Sequence, residues 1–187
     1  MRIFLETKRL ILRTFQNEDL EALIAYRSDP LVARYQGWEA PYARQNAIAF
    51  VNEMRSKRPG VQGEWYQIAI GLKPGGSIVG DCVYRILPED ARQAEIGFTL
   101  AHEHWGKGYA SEAVRRLLGY LFGDLELHRV RAICDIENTA SMRVLERVGM
   151  RQEGCFIENI WFKGQWGSEY SYAILQREWQ AKGSRLE

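Results

Sequence analysis

The chain has 187 residues, 46% hydrophobic and 26% charged, with 25 Lys and Arg against 24 Asp and Glu. That length suits one globular domain spanning residues 1–187, and the composition excludes a disordered tail or a fibrous repeat. A formal charge of +1 supplies no overall attraction to nucleic acid or anionic membranes.

Residues 7–13 carry an apolar centre between charged flanks and read as a first strand. Asn17-Glu18-Asp19 caps a helix whose face is Leu20, Leu23, Ile24 and Arg27, and Asp29-Pro30 is expected to stop it. A second helix follows Pro41, with Ala47, Ile48, Phe50, Val51 and Met54 as its apolar surface, and Arg58-Pro59-Gly60 ends it. Residues 65–72, 77–86 and 94–100 are rich in aromatic and β-branched residues and are separated by turn chemistry, which predicts a three-strand antiparallel meander. A Gly-x-Gly turn, Gly106-Lys107-Gly108, then opens a long amphipathic helix. Residues 128–135 read as a strand, Asn138-Thr139 opens a shorter helix closed by Gly149, and residues 154–175 read as a final hairpin turning at Lys163-Gly164-Gln165.

The longest run free of Asp, Glu, Lys and Arg has eight residues, against about 20 for a spanning helix. Glu6 interrupts the apolar start before a signal-peptide core forms, so the cytoplasm is the expected location, away from any membrane. Cys82, Cys134 and Cys155 are odd in number and widely spaced, which predicts buried free thiols and neither a disulfide framework nor a metal site.

A Gly-x-Gly turn between strand and helix admits close approach of an anion to the backbone and aims unpaired N–H groups at it; the alternative is a merely flexible loop. A Walker A motif fails, because residue 101 is Ala and Gly108 follows Lys107. A dinucleotide fingerprint fits poorly after an antiparallel meander. In order along the chain stand Thr7-Lys8-Arg9-Leu10-Ile11-Leu12-Arg13, Ile78-Val79-Gly80-Asp81, Ala94-Glu95-Ile96-Gly97-Phe98, Trp105-Gly106-Lys107-Gly108-Tyr109-Ala110-Ser111-Glu112-Ala113 and the segment from Asn138 to Met150. With these segments, residues 7–179 resemble the GNAT superfamily of N-acetyltransferases, of RimJ/RimL type.

The resemblance implies a mixed α/β fold with a central, largely antiparallel sheet flanked by helices and splayed at residues 95–100 and 130–135. It implies acetyl-coenzyme A as co-substrate, with the pyrophosphate on Trp105, Gly106, Lys107, Gly108, Tyr109, Ala110 and Ser111, and pantetheine along Phe98, Thr99 and Leu100. Trp105 stands where the general pattern has Gln or Arg. Asn138 is assigned to the same coenzyme site, beside its local reading as a helix cap. The implied acceptor is an amine, either a protein N-terminal α-amine or a small molecule such as an aminoglycoside or polyamine; a homodimer is left open. A non-catalytic coenzyme-A sensor is the reading from a different class.

Direct acetyl transfer needs a neutral amine and a proton for the departing thiolate. Glu95, on the strand before the glycine turn, is the expected base, and an outward strand carboxylate in an ion pair is the alternative. Many superfamily members carry Tyr seven residues after the motif asparagine, where this chain has Leu145. Ser141, one helical turn after Asn138, is the donor to sulfur that the RimJ/RimL resemblance suggests, against a local first-turn role. His102 and His104 are expected to be solvated or locally bonded, Cys134 to be structural, and Tyr35, Trp38 and Tyr42 to pack in the core near the acceptor.

Overall fold

The computed structural model describes residues 3–183. An unanticipated β1 (Phe4–Glu6) precedes the expected first strand, of which residues 10–13 form β2 (Leu10–Arg13). The Thr7 hydroxyl accepts the Leu10 N–H at 2.8 Å, which turns the chain between them. Helix α1 (Leu20–Arg27) follows and ends before Asp29-Pro30 as expected, while Pro30 also starts the next helix: in α2 (Pro30–Ala33) the Asp29 carboxylate caps the Leu31 N–H at 2.8 Å. Proline suits a first helical turn because the N–H it lacks has no helical partner there. Helix α3 (Arg44–Ser56) leads to the predicted meander of β3 (Trp65–Leu72), β4 (Ile78–Leu87) and β5 (Asp90–Leu100). Then come α4 (Tyr109–Gly123), β6 (Arg129–Asp135), α5 (Thr139–Arg147), the hairpin of β7 (Arg151–Phe162) and β8 (Gln165–Leu175), and α6 (Gln176–Gly183), which the pattern reading did not anticipate.

Among the described residues eight strands form one sheet in the order β1-β2-β3-β4-β5-β6-β8-β7. Every neighbouring pair is antiparallel except β5 with β6. The hairpin turns through Lys163 and Gly164, both at positive φ, in the left-handed geometry that a two-residue connection between twisted strands demands.

Alternation along the strands serves two cores. Leu10, Leu12, Ile68, Ile70, Ile96 and Val130 pack with Val114, Leu117, Leu118 and Leu121 of α4. Each of those four helix residues is fully buried, and each contributes about 1.5–3 kcal/mol of apolar burial. On the opposite face Ala69 and Ile78 pack with Leu23 and Tyr26 of α1 and Ala47, Val51 and Met54 of α3. No described helix is long and apolar enough to cross a membrane.

Candidate active site

Parallel pairing of β5 with β6 runs from Gln93↔Arg129 to Ile96↔Ala132 and stops, while β5 stays paired to β4 as far as Gly80↔Leu100. The fork therefore opens at Gly97 and Ile133, later than the splay expected from residues 95 and 130. Along residues 97–100 the strand edge turned away from β4 has no strand partner, and backbone polar groups in a cleft call for one. Gly80 brings β4 close at this point: a Cβ there would stand 2.1 Å from the Thr99 carbonyl oxygen. The Leu100 carbonyl already accepts the Trp105 indole N–H at 2.9 Å, which is how a tryptophan serves this turn.

The turn into α4 is made by Gly106 at φ +73° and Gly108 at φ +80°, left-handed conformations that favour glycine. Gly108 is the N-cap of α4 and offers no side chain to the helix, so its first N–H groups point outward unpaired. Among them sits the Ser111 hydroxyl, buried and without a partner. A Cβ on Gly108 would meet Arg9 Nη2 at 3.4 Å, and one on Gly106 would meet nothing within 4 Å. Backbone conformation and the neighbouring arginine thus account for these glycines.

A clamp from the N-terminal strands holds the turn. Arg9 donates from Nε to Glu112 at 2.7 Å and from Nη1 to the Lys107 carbonyl at 3.0 Å, while the Thr7 hydroxyl donates to Glu112 at 2.6 Å. Burial pushes the Glu112 carboxyl up, but the Thr7 hydroxyl and the Arg9 amide and guanidinium outweigh it and leave it below the ordinary glutamate range.

Fork and turn open on a cavity of about 580 Å³, lined by residues 98–100, by Trp105, Gly106 and residues 108–111, and by the α5 face carrying Asn138, Ser141, Arg143 and Arg147. His104 also lines it, with its side chain 17% exposed, its Nε2 3.2 Å from Glu103 and its Nδ1 buried without a partner, the locally bonded form of the expectation. His102, half exposed, lies 3.6 Å from Asp29 with its ring tilted against that of Trp105. A smaller cavity of about 120 Å³ shares Tyr35, Gln36, Phe98, Asn138 and Ser141 with the first and adds Gly97, Ile133, Cys134 and Asp135.

Asn138 caps α5: its side-chain oxygen accepts the Ser141 N–H at 3.1 Å, which leaves the Ser141 hydroxyl at the edge of both cavities. Glu95 lines neither. It lies one alternation below Gly97 in the still-paired part of the sheet, where Arg131 Nε and Nη2 donate to it at 3.1 and 2.9 Å and Arg85 Nη2 at 3.4 Å. Cys134 is buried, and burial, with Asp135 and Glu169 nearby, pushes its thiol up to about 11, which disfavours the nucleophilic thiolate. Cys82 is buried too, whereas Cys155 is exposed, contrary to the expectation for all three thiols.

On the α1–α3 side of the sheet stand residues whose pairing the sequence pattern does not show. Arg27, 3% exposed, lies over the rings of Trp38 and Phe50 at 4.3 and 4.1 Å, bonds the Tyr42 hydroxyl at 3.2 Å and faces Asp81 at 3.5 Å, an oxygen that Tyr26 also donates to. Trp38 and Tyr42 are thus core-side as expected, while Tyr35 lines both cavities. Lys163 at the hairpin tip donates to the carbonyls of Ala33 and Trp38, each at 2.8 Å, and ties β7–β8 to the segment that carries Tyr35 and Gln36. The Arg27 pairing had no sequence signal beyond an arginine on an otherwise apolar helical face, and that of Lys163 had none.

The model of the acetyltransferase (GNAT) domain family matches residues 9–151. Over 174 residues the chain is 38% identical to YnaD, an uncharacterized N-acetyltransferase of Bacillus subtilis (strain 168), spanning 92% of this chain and 97% of that protein. A GNAT-family acetyltransferase structure from Bacillus anthracis superposes with a TM-score of 0.82 at 35% identity, covering 94% of this chain and 99% of the other. The spermidine N-acetyltransferase of Vibrio cholerae, solved with coenzyme A and spermine, shares the fold at a TM-score of 0.77 and 22% identity, over 93% and 99% of the two chains. A forked sheet that feeds a glycine turn, matched by family model and by relatives along nearly its whole length, makes this chain a member of the GNAT acetyltransferase family, an enzyme of acetyl transfer.

Proposed function

We propose that the protein takes acetyl from acetyl-coenzyme A bound in the larger cavity and delivers it to a primary amine entering through the smaller one. The single observation that carries this reading is the unpaired edge of residues 97–100 leading to the open N-terminus of α4, where the Ser111 hydroxyl is buried without a partner. An extended pantetheine arm supplies the missing strand partner along Phe98, Thr99 and Leu100. The pyrophosphate meets the N–H groups of Tyr109, Ala110 and Ser111 and the positive end of the helix, in the turn built by Trp105, Gly106, Lys107 and Gly108. Arg143 and Arg147 line the same cavity and add charge for the remaining phosphate.

Ser141, held at the junction of the two cavities by the Asn138 cap, donates a hydrogen bond to the sulfur as the thioester breaks. Ser141→Ala should lower turnover about 2- to 12-fold, the loss of one ordinary hydrogen bond of about 0.5–1.5 kcal/mol, with coenzyme affinity unchanged. A single-turnover rate equal to wild type would return Ser141 to a local helical role. For the acceptor, the RimJ/RimL resemblance favours a protein N-terminal α-amine. The polyamine alternative is supported by the shared fold with the enzyme bound to spermine. Thiol release measured with acetyl-coenzyme A against N-terminal peptides and polyamines discriminates the two. Tight coenzyme binding by calorimetry without release to any amine would favour a sensor.

A further inference from the structure

We infer that Asp135 is the base that deprotonates the acceptor amine, a step that rests on the acetyl-transfer reading above. Asp135 is the carboxylate among the residues lining the smaller cavity, at the last position of β6, where the strand has already parted from β5. Its Oδ1 accepts the Glu137 N–H at 2.7 Å in a tight turn that fixes the side chain. No described donor meets Oδ2, which lies 3.9 Å from where a Cβ on Gly167 would stand. One oxygen is thus used for orientation and the other is left for a ligand.

Alternation sets the direction. Arg131 meets Glu95 on one face of the sheet, and Ile133 and Asp135 follow on that same face, as Gly97 follows Glu95 on β5. Glu95 is saturated by two guanidinium groups in the closed part of the sheet, whereas Asp135 stands beyond the fork. The charged and titratable groups around Asp135 are Arg131 on its own strand, Glu169 opposite it on β8, Glu137 in the following turn with Arg34 of the α2 C-cap on it, and Tyr35. Arg131 is engaged by Glu95 and Arg34 by Glu137, so the remaining field at Oδ2 favours an ammonium. Burial raises the Tyr35 phenol, with Glu137 and Asp135 adding to the rise, which keeps it neutral beside the amine.

The proton balance closes. Oδ2 takes one proton from R–NH3+, and the freed nitrogen lone pair forms the C–N bond to the thioester carbonyl carbon. The C–S bond breaks with its electron pair on sulfur, sulfur takes a second proton that leaves nitrogen, and Asp135 releases its own to water. The sum is ammonium plus acetyl thioester giving amide, thiol and one proton.

Asp135→Asn tests this, because an asparagine oxygen still accepts the Glu137 N–H and the turn survives. With spermidine or a short peptide bearing a free α-amine, whichever the wild type acetylates, kcat/KM at neutral pH should fall about 100-fold or more. Coenzyme affinity by calorimetry should stay unchanged, and the deficit should shrink as rising pH supplies free amine from solution. Hydroxylamine, uncharged at neutral pH, should be acetylated by the variant at a rate near wild type. Asp135→Glu, which restores a carboxylate, should recover part of the amine rate. Equal losses with hydroxylamine and with the charged amine, or an amine pH–rate profile identical to wild type, would overturn the assignment while leaving acetyl transfer standing. A wild type that acetylates none of these nucleophiles overturns the acetyl-transfer reading and this assignment with it.

Discussion

Around residues 97–100 and the turn into α4 the cavity wall is backbone, presented by strands and glycines; around Tyr35, Gln36 and Asp135 it is side chain, with a lysine from the far hairpin holding the segment that carries Tyr35 and Gln36 and the Glu137 amide holding Asp135. The first wall suits a ligand that is the same in every member of a family, because unpaired N–H and C=O groups recognise an extended amide arm and a pyrophosphate regardless of side chains. The second suits an acceptor that differs between relatives, because its surface changes with a few substitutions. Affinity for coenzyme and preference for acceptor should therefore vary separately.

The largest expected effect lies behind the second wall, where Arg27 packs on Trp38 of the segment that carries Tyr35. Arg27→Met leaves Asp81 buried with the Tyr26 hydroxyl and no cation, and should cost about 3–5 kcal/mol in urea unfolding. Below the melting range the variant should show a raised acceptor KM through the displaced Trp38 and Tyr42, with coenzyme affinity kept. A coenzyme Kd that moves more than the acceptor KM would break the division between walls.

Gly108→Ala strikes the other wall. It forces a left-handed φ of +80° on alanine, worth about 1–3 kcal/mol, and crowds Arg9. The turn should loosen, and coenzyme Kd by calorimetry should rise about 5- to 100-fold with the acceptor KM little changed.

The smallest effect is assigned to Glu95→Gln. Glu95 stands in register with Arg85 on one side and Arg131 on the other, a cross-strand charge pairing worth about 0.2–1 kcal/mol. The variant should lose that much stability and keep the wild-type pH–rate profile. A profile that loses its acidic limb would make Glu95 the base after all and move the chemistry below the fork.

The difference between the walls also explains what the sequence disclosed. The meander, the helix after Gly108 and the Asn138 cap were legible because each is a local pattern of alternation, spacing or turn chemistry. Glu95 was legible as a carboxylate near the site, but its two arginines come from residues 85 and 131, one strand away on either side, and only register reveals them. Asp135 sits three residues before Asn138 and reads alone as a strand-end carboxylate. The role proposed for it comes from β5 and β6 parting after Ala132, three residues earlier. Pro30 reads as a stop, which α1 obeys, but proline also starts helices, and the Asp29 side chain that caps α2 shows this second role.

The turn into α4 is local in sequence but not in its making. Its glycines permit the shape, yet Thr7 and Arg9 hold it through Glu112, 105 and 103 residues further along the chain. Closing such a long loop carries an entropic cost that no nearby contact repays. A chain leaving the ribosome can form the helix early, but its N-terminal end takes final shape only when the sheet has carried β2 against α4. Acid acts on the same fastening. Because the Glu112 carboxyl lies below its unfolded range, its contribution is complete above that range and fades as pH falls through the folded value. A fragment that starts after residue 9 would keep every glycine of the motif and lose its fastening.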